Sequence, residues 1–151
     1  MAKKFTEEEL MKKHGTNIKS AVSGFGLAGV LGLIYIIRYF ISGNFNFYFS
    51  LTFTELMLRL YDKGSLPLVA AIALIVVFVA LYIAVVLLCS KKPEKLRLAL
   101  GLYLADSLCL IGTFLLHEQN IQSDFFIDAI VHLFVILFLV VGVKSAKVWK
   151  Q

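Results

Sequence analysis

Two hydrophobic stretches in the second half of the chain decide the fold: KLRLALGLYLADSLCLIGTFLLH at Lys95–His117 and DFFIDAIVHLFVILFLVVGVK at Asp124–Lys144. Each is long enough to cross a bilayer as a helix, because about 20 apolar residues span the hydrocarbon core. Each also carries ionisable residues, namely Asp106 in the first stretch and Asp128 and His132 in the second. A charge in hydrocarbon costs about 2.5–3.5 kcal/mol on insertion scales, so these side chains need a partner, a proton, a metal or water.

Two earlier hydrophobic blocks complete the pattern, and we expect spans at about 21–41, 67–89, 96–116 and 124–143. Hydrophobic residues make up 60% of the 151 residues, above the 45–50% that is usual in soluble domains. The sequence therefore predicts an all-α integral membrane four-helix bundle that forms one domain over 1–151. The net charge is +5, and most of the basic residues lie in the segments outside the spans. We therefore attribute the charge to membrane orientation, and expect the lipid bilayer as a partner and no nucleic acid.

The connecting segments predict two shorter helices. Thr6 and Glu9 fit a capping box, and we expect a short amphipathic helix in the leader 1–19 that ends at Gly15. In 43–66, aromatic residues first alternate with smaller ones, and helical spacing then follows. This pattern predicts an amphipathic helix in the outer interface, either as an aromatic anchor, which we favour, or as a lid over a cavity.

The basic residues predict the orientation. Twelve of the 15 Lys and Arg residues flank the start of span one, the loop between spans two and three, and the end of span four. By the positive-inside rule, both termini and this loop are cytoplasmic. We therefore expect a multi-pass protein of the cytoplasmic (inner) membrane.

Span one carries small residues at a spacing of four, at Gly24, Ala28 and Gly32. Small residues allow close approach of helix backbones in a membrane. We expect this face to pack against another helix of the chain, or against a second copy in a homodimer or a larger membrane complex. Arg38 lies near the outer end of the same span and either snorkels to the interface or pairs with an acid.

The ionisable residues of spans three and four fall on two polar stripes. Asp106 lies near the middle of span three, about 16 Å from either end, and His132 lies about 12 Å deep in span four. Because the turn between the spans is short, the sequence predicts that these two side chains lie within reach of each other. Asp128 shares the face of His132 at a spacing of four, and Arg38 is at a depth where it could neutralise Asp128. The stripe of span three consists of Tyr103, Asp106, Leu110, Thr113 and His117.

Three interpretations of these stripes stay open. Asp106 and His132, with Asp128, Tyr103 and Arg38, form a proton or cation relay, since His titrates near neutral pH. Alternatively, Asp106, Asp128 and His132 bind a divalent metal. In the third interpretation the groups are structural and hydrogen-bond across helices to fix the bundle.

The size and the four-span layout resemble those of the small multidrug transporters. That family places its essential acid in span one, where this chain has Arg38 and no acid, so the resemblance is not extended to function. We expect a small transporter or a membrane subunit of a transport or assembly complex. A structural or regulatory membrane protein and a metal-dependent membrane enzyme are the alternatives.

Overall fold

A computed structural model describes residues 7–43, 51–116 and 123–149, and this part of the chain is helical with short connections. Four helices are long and one is short. The elements list in chain order as α1 (Glu7–Ser42), α2 (Thr52–Asp62), α3 (Leu68–Lys91), a 3₁₀ turn (Pro93–Lys95), α4 (Leu96–Leu116) and α5 (Ser123–Trp149). The predicted all-α architecture is confirmed.

The four long helices α1, α3, α4 and α5 are long and apolar enough to cross a membrane. Their outward faces carry large apolar side chains, such as Ile41, Val69 and Leu115, which are 82%, 79% and 75% exposed. Soluble monomers rarely expose wide apolar surfaces. The described helices are therefore compatible with a multi-pass membrane protein.

The N-terminal leader differs from the prediction. Helix α1 runs without a break through Gly15, so the short leader helix and span one form one helix of 36 residues. A glycine inside a helix costs about 1 kcal/mol, which packing can offset. Here the Asn17 side chain donates a hydrogen bond to Ser145 Oγ of α5 at 3.1 Å, and Ile18 is buried beside it in the core. The predicted cap at Thr6 lies outside the described residues.

Close helix contacts depend on small residues, as predicted, but only in part on the predicted stripe. Ala28 and Gly32 are buried within the chain, and a side chain at Gly32 would overlap Leu51. Gly24 has open space around it. Helices α1 and α5 approach each other closely at Gly142, where a methyl group would overlap Ala21. A contact between two copies of the chain stays a prediction.

An aromatic row crosses the core and joins the four helices α1, α2, α3 and α4. The stacked pairs are Phe53 of α2 with Phe78 of α3, at 4.4 Å between centroids, and Phe25 of α1 with Tyr82 of α3, at 4.2 Å. Phe25 also meets the edge of Tyr103 of α4 at 6.3 Å. Aromatic pairs contribute about 0.5–1.5 kcal/mol beyond the area that they bury, so this row fixes the helices around one centre.

The position of α2 differs from the predicted interfacial one. Leu51, at its N-cap, lies against Gly32 of α1. Phe53 contacts Phe78 of α3 and Asp106 of α4. Each of these three contacted residues lies ten residues from one end of its own helix, at Ser42, Leu68 and Leu116 respectively. These helix ends are on the same side of the bundle, and ten residues correspond to about 15 Å at 1.5 Å per residue.

Helix α2 then runs outward beside α4. Leu56 packs over Gly112, and the Tyr39 hydroxyl donates to Asp62 Oδ1 at 2.7 Å near the end of α1. Five of its eleven residues are buried. Helix α2 therefore begins inside the bundle, near the middle of α3 and α4, and ends near their ends. The aromatic residues 45, 47 and 49, which suggested an extended segment, lie outside the described residues.

Candidate functional site

Asp106 is at the centre of the site. It lies in the middle of α4 and has no solvent-exposed surface. The stripe that was predicted on this helix faces inward, since Tyr103, Asp106, Leu110 and Thr113 are all buried; His117 lies outside the described residues. A carboxylate at this depth requires hydrogen-bond donors or a proton.

The first donors come from the backbone of α2. Asp106 Oδ1 accepts the N–H of Phe53 at 2.8 Å, and Oδ2 accepts the N–H of Thr52 at 3.3 Å. The Thr52 hydroxyl also donates to the backbone carbonyl of Asp106. The residue at the N-cap position of α2 is Leu51, and it makes no side-chain capping bond.

The carboxylate of Asp106 therefore replaces the missing N-cap from another helix. The first N–H groups of a helix have no partner within it, and the N-terminal end of the helix dipole is positive. A carboxylate at this position satisfies two of these groups and benefits from the dipole. The sequence does not predict this contact, because an N-cap residue normally lies just before the helix that it caps.

His132 of α5 supplies the third donor or acceptor at Asp106. Its Nε2 lies 3.2 Å from Asp106 Oδ2, and its Nδ1 lies 2.9 Å from the backbone carbonyl oxygen of Asp128. A carbonyl oxygen only accepts, so Nδ1 carries a hydrogen. Nε2 and Oδ2 must then share one proton, because otherwise two lone pairs would face each other. The predicted contact between spans three and four is present.

Tyr103 completes the immediate surroundings of the imidazole. Its ring stacks on His132 with 5.1 Å between centroids and 23° between planes. Tyr103 and His132 are 1% and 3% exposed. The stacking fixes the orientation of the imidazole, and an aromatic face also favours a cationic ring.

A second charged pair, which the sequence reasoning placed at the membrane surface, lies inside the bundle. Arg59 Nη2 and Nε lie 2.6 and 2.7 Å from Glu55 Oε1. Glu55 is buried, and the side chain of Arg59 is largely covered as well. In the sequence, the spacing of four between Glu55 and Arg59 predicts that they pair on one helix face. It does not predict burial, because the same spacing is typical of exposed helices.

Arg38, for which the sequence left open either snorkelling to the interface or pairing with an acid such as Asp128, is on an exposed face of α1. Asp128 itself is 7% exposed and contacts the imidazole through its backbone carbonyl. Of the predicted site residues, the structure brings Asp106, His132, Tyr103 and Asp128 together.

The predicted metal set does not assemble as a metal centre. Within 7–43, 51–116 and 123–149, no group of three or more His, Cys, Asp or Glu residues could hold a metal ion. The physical reason lies at His132, because both imidazole nitrogens already contact protein atoms, at Asp106 and at the Asp128 carbonyl. A metal ion at His132 would have to displace one of these two contacts.

The known proteins add no assignment to this geometry. Comparison of the chain with protein-family models, with curated proteins and with solved structures gave no match to any of them. The function must therefore be inferred from the chemistry of Asp106, His132 and the first turn of α2.

Proposed function

We propose that this protein is a proton-handling membrane protein, acting as a small transporter or as a membrane subunit of a transport complex, with Asp106 and His132 as the proton-carrying pair. One observation supports this above all others. A fully buried carboxylate in the middle of a long helix is shared between a titratable imidazole and the first N–H groups of a short helix. Intramembrane ionisable groups of this kind commonly mark proton and ion pathways.

The proton can occupy two positions in the pair without a change of net charge. On Nε2 it gives an imidazolium and a carboxylate, and on Oδ2 it gives a neutral imidazole and a carboxylic acid. A second proton produces an imidazolium next to a carboxylic acid, so the pair gains one positive charge. The Tyr103 ring stacks on the imidazole, and the Asp128 carbonyl accepts a hydrogen bond from Nδ1. Tyr82 of α3 and Cys109 of α4 are further titratable groups on which the charge of Asp106 acts.

Protonation of Asp106 would weaken the hydrogen bonds that its carboxylate accepts from the first N–H groups of α2. A carboxylate accepts two N–H bonds with full charge assistance, whereas a carboxylic acid has a hydroxyl that must itself donate. The uncharged acid also loses its attraction to the positive end of the helix dipole. Proton occupancy and the docking of α2 would therefore be coupled, which gives a carrier a means to link a proton to a movement.

Placement in a membrane gives this coupling a direction. With both termini cytoplasmic, as the basic residues indicate, α2 would begin near mid-membrane and rise to the outer face. Secondary transporters use discontinuous helices whose N-termini end near the midplane to bind anionic groups. Here the anionic group would be a side chain of the protein, and α2 would separate it from the outer solution.

The test measures proton flux into proteoliposomes that contain the pH-sensitive dye pyranine. A potassium gradient with valinomycin provides the driving potential, and the wild type is compared with Asp106→Asn and with Asp62→Asn. Asp62 is an exposed acid at the far end of α2, so its variant is the matched control. We expect a flux in the wild type and in Asp62→Asn that falls at least tenfold in Asp106→Asn.

Two outcomes would reject the proposal. Wild-type liposomes whose flux equals that of protein-free liposomes would remove proton handling. An Asp106→Asn flux equal to the wild-type flux would show that the protons use another route. Hydrogen exchange of the Thr52 amide, whose acceptor is Asp106 Oδ2, provides a second readout, and we expect it to be faster in Asp106→Asn than in Asp62→Asn.

A purely structural membrane protein is the second candidate, and one observation favours it. Both oxygens of Asp106 are already engaged, and a satisfied polar network also serves to fix a single arrangement of helices. In that case Asp106→Asn would lower the stability, and neither the wild type nor any variant would carry protons.

A further inference from the structure

A cavity of about 250 Å³ lies where α4 begins and α5 ends. Its lining combines charged side chains with an apolar wall and lists as Glu94, Lys95, Arg97, Val143, Ala146 and Lys147. Arg97 is nine residues from Asp106, about 14 Å along α4. This cavity is thus distinct from the proposed proton site.

The charges of the cavity favour an anion. Three basic side chains and one acidic side chain line it, which gives a formal charge of +2. The first turn of α4 contains no acidic residue, so the positive end of its dipole is not offset from within the helix. Lys95 and Arg97 stand at a helix start, where basic residues are unfavourable, and a bound anion would relieve this.

The shape of the lining specifies the kind of anion further. Val143 and Ala146 form an apolar wall from the last turns of α5, whereas the basic groups come from the ends of the helices. An amphipathic ligand would place its charged group among the bases and its hydrocarbon along this wall. In a membrane, the ends of spanning helices lie at the depth of the lipid headgroups.

We propose that this cavity binds the phosphate headgroup of an anionic phospholipid of the leaflet that faces the chain termini. Basic pockets between spanning helices on the cytoplasmic side are suited to such headgroups. The inference requires insertion in a membrane, but it does not depend on the proton-handling proposal. A Lys or Arg near an anionic lipid surface contributes about a fivefold gain in affinity, so the three bases together contribute about 100-fold.

The experiment measures lipid binding by native mass spectrometry of the purified full chain. The probes are phosphatidylglycerol, which is anionic, phosphatidylcholine, which is zwitterionic, and inorganic phosphate as a competitor. The wild type is compared with the triple variant Lys95→Gln, Arg97→Gln, Lys147→Gln. A control variant removes the same number of charges from exposed residues that do not line the cavity, by Lys12→Gln, Lys19→Gln and Lys144→Gln.

We expect the wild type and the control variant to prefer phosphatidylglycerol and the cavity variant to lose about 100-fold in that affinity. Glu94→Gln removes the one acid and should raise the affinity about fivefold, which keeps the test decisive if the triple variant does not fold. Equal binding of the two lipids, or an equal loss in the control variant, would overturn the proposal. Displacement of the lipid by millimolar phosphate would identify a free-anion site instead and overturn the lipid assignment.

Discussion

Replacement of Asp106 by alanine should destabilise the protein far more than replacement by asparagine. Alanine removes the acceptor of the Phe53 and Thr52 N–H groups and the partner of His132 at once. Each buried donor that loses its partner costs about 1–3 kcal/mol, and breaking a buried charge pair costs about 3–5 kcal/mol. Because the contacts share one carboxylate, their costs do not add fully, and we expect a loss of about 3–5 kcal/mol for Asp106→Ala.

Asparagine keeps most of the geometry. Its amide oxygen can still accept the Phe53 N–H, and its amide nitrogen can donate to Nε2 of a neutral His132 whose Nδ1 carries the hydrogen. Only the Thr52 N–H, 3.3 Å from Oδ2 in the wild type, would then face another donor. One unsatisfied group predicts a loss of about 1–3 kcal/mol for Asp106→Asn.

The assay is equilibrium unfolding in mixed detergent micelles, followed by circular dichroism, with Leu108→Ala as the control. Leu108 is on the same helix and is 67% exposed, so its variant should change the free energy of unfolding by less than about 0.5 kcal/mol. A free energy of unfolding of Asp106→Ala within about 1 kcal/mol of the wild-type value would show that these contacts do not stabilise the bundle. Equal losses of stability for Asp106→Ala and Asp106→Asn would show that the hydrogen bonds accepted by the carboxylate oxygens do not determine the stability.

Three further predictions follow from the packing and the charge pattern. Gly142→Ala should lose about 1–3 kcal/mol of stability because its methyl group overlaps α1, whereas Gly101→Ala, which has open space, should gain about 0.5–1 kcal/mol in the same unfolding assay. Tyr82→Phe should cost about 0.5–1.5 kcal/mol, since its hydroxyl donates to a buried backbone carbonyl at 2.7 Å. In a variant without the native cysteines, Ser65→Cys should react with an impermeant thiol reagent added to intact cells and Lys92→Cys should not, and reversed labelling would overturn the orientation.

The sequence predicted the long helices because their signal is local. Length and apolar content alone define a spanning helix, and Leu96–Leu116 coincides with the predicted third span. The inward stripe of α4 was also readable, because residues three and four apart share a helix face. The contact between Asp106 and His132 followed from the shortness of the turn between α4 and α5, which makes the two helices antiparallel neighbours.

The tertiary structure alone decided where α2 lies. Its sequence is amphipathic, and an amphipathic helix can place its apolar face against lipid or against other helices with the same local pattern. The choice depends on a partner that is 53 residues away along the chain, the carboxylate of Asp106 that accepts the Phe53 N–H. Leu51 offers no cap of its own, so the start of α2 is stable only where another helix brings an acceptor. That requirement moves Glu55 and Arg59 into the interior and gives Asp106 a second function besides its contact with His132, and no spacing in the sequence encodes it.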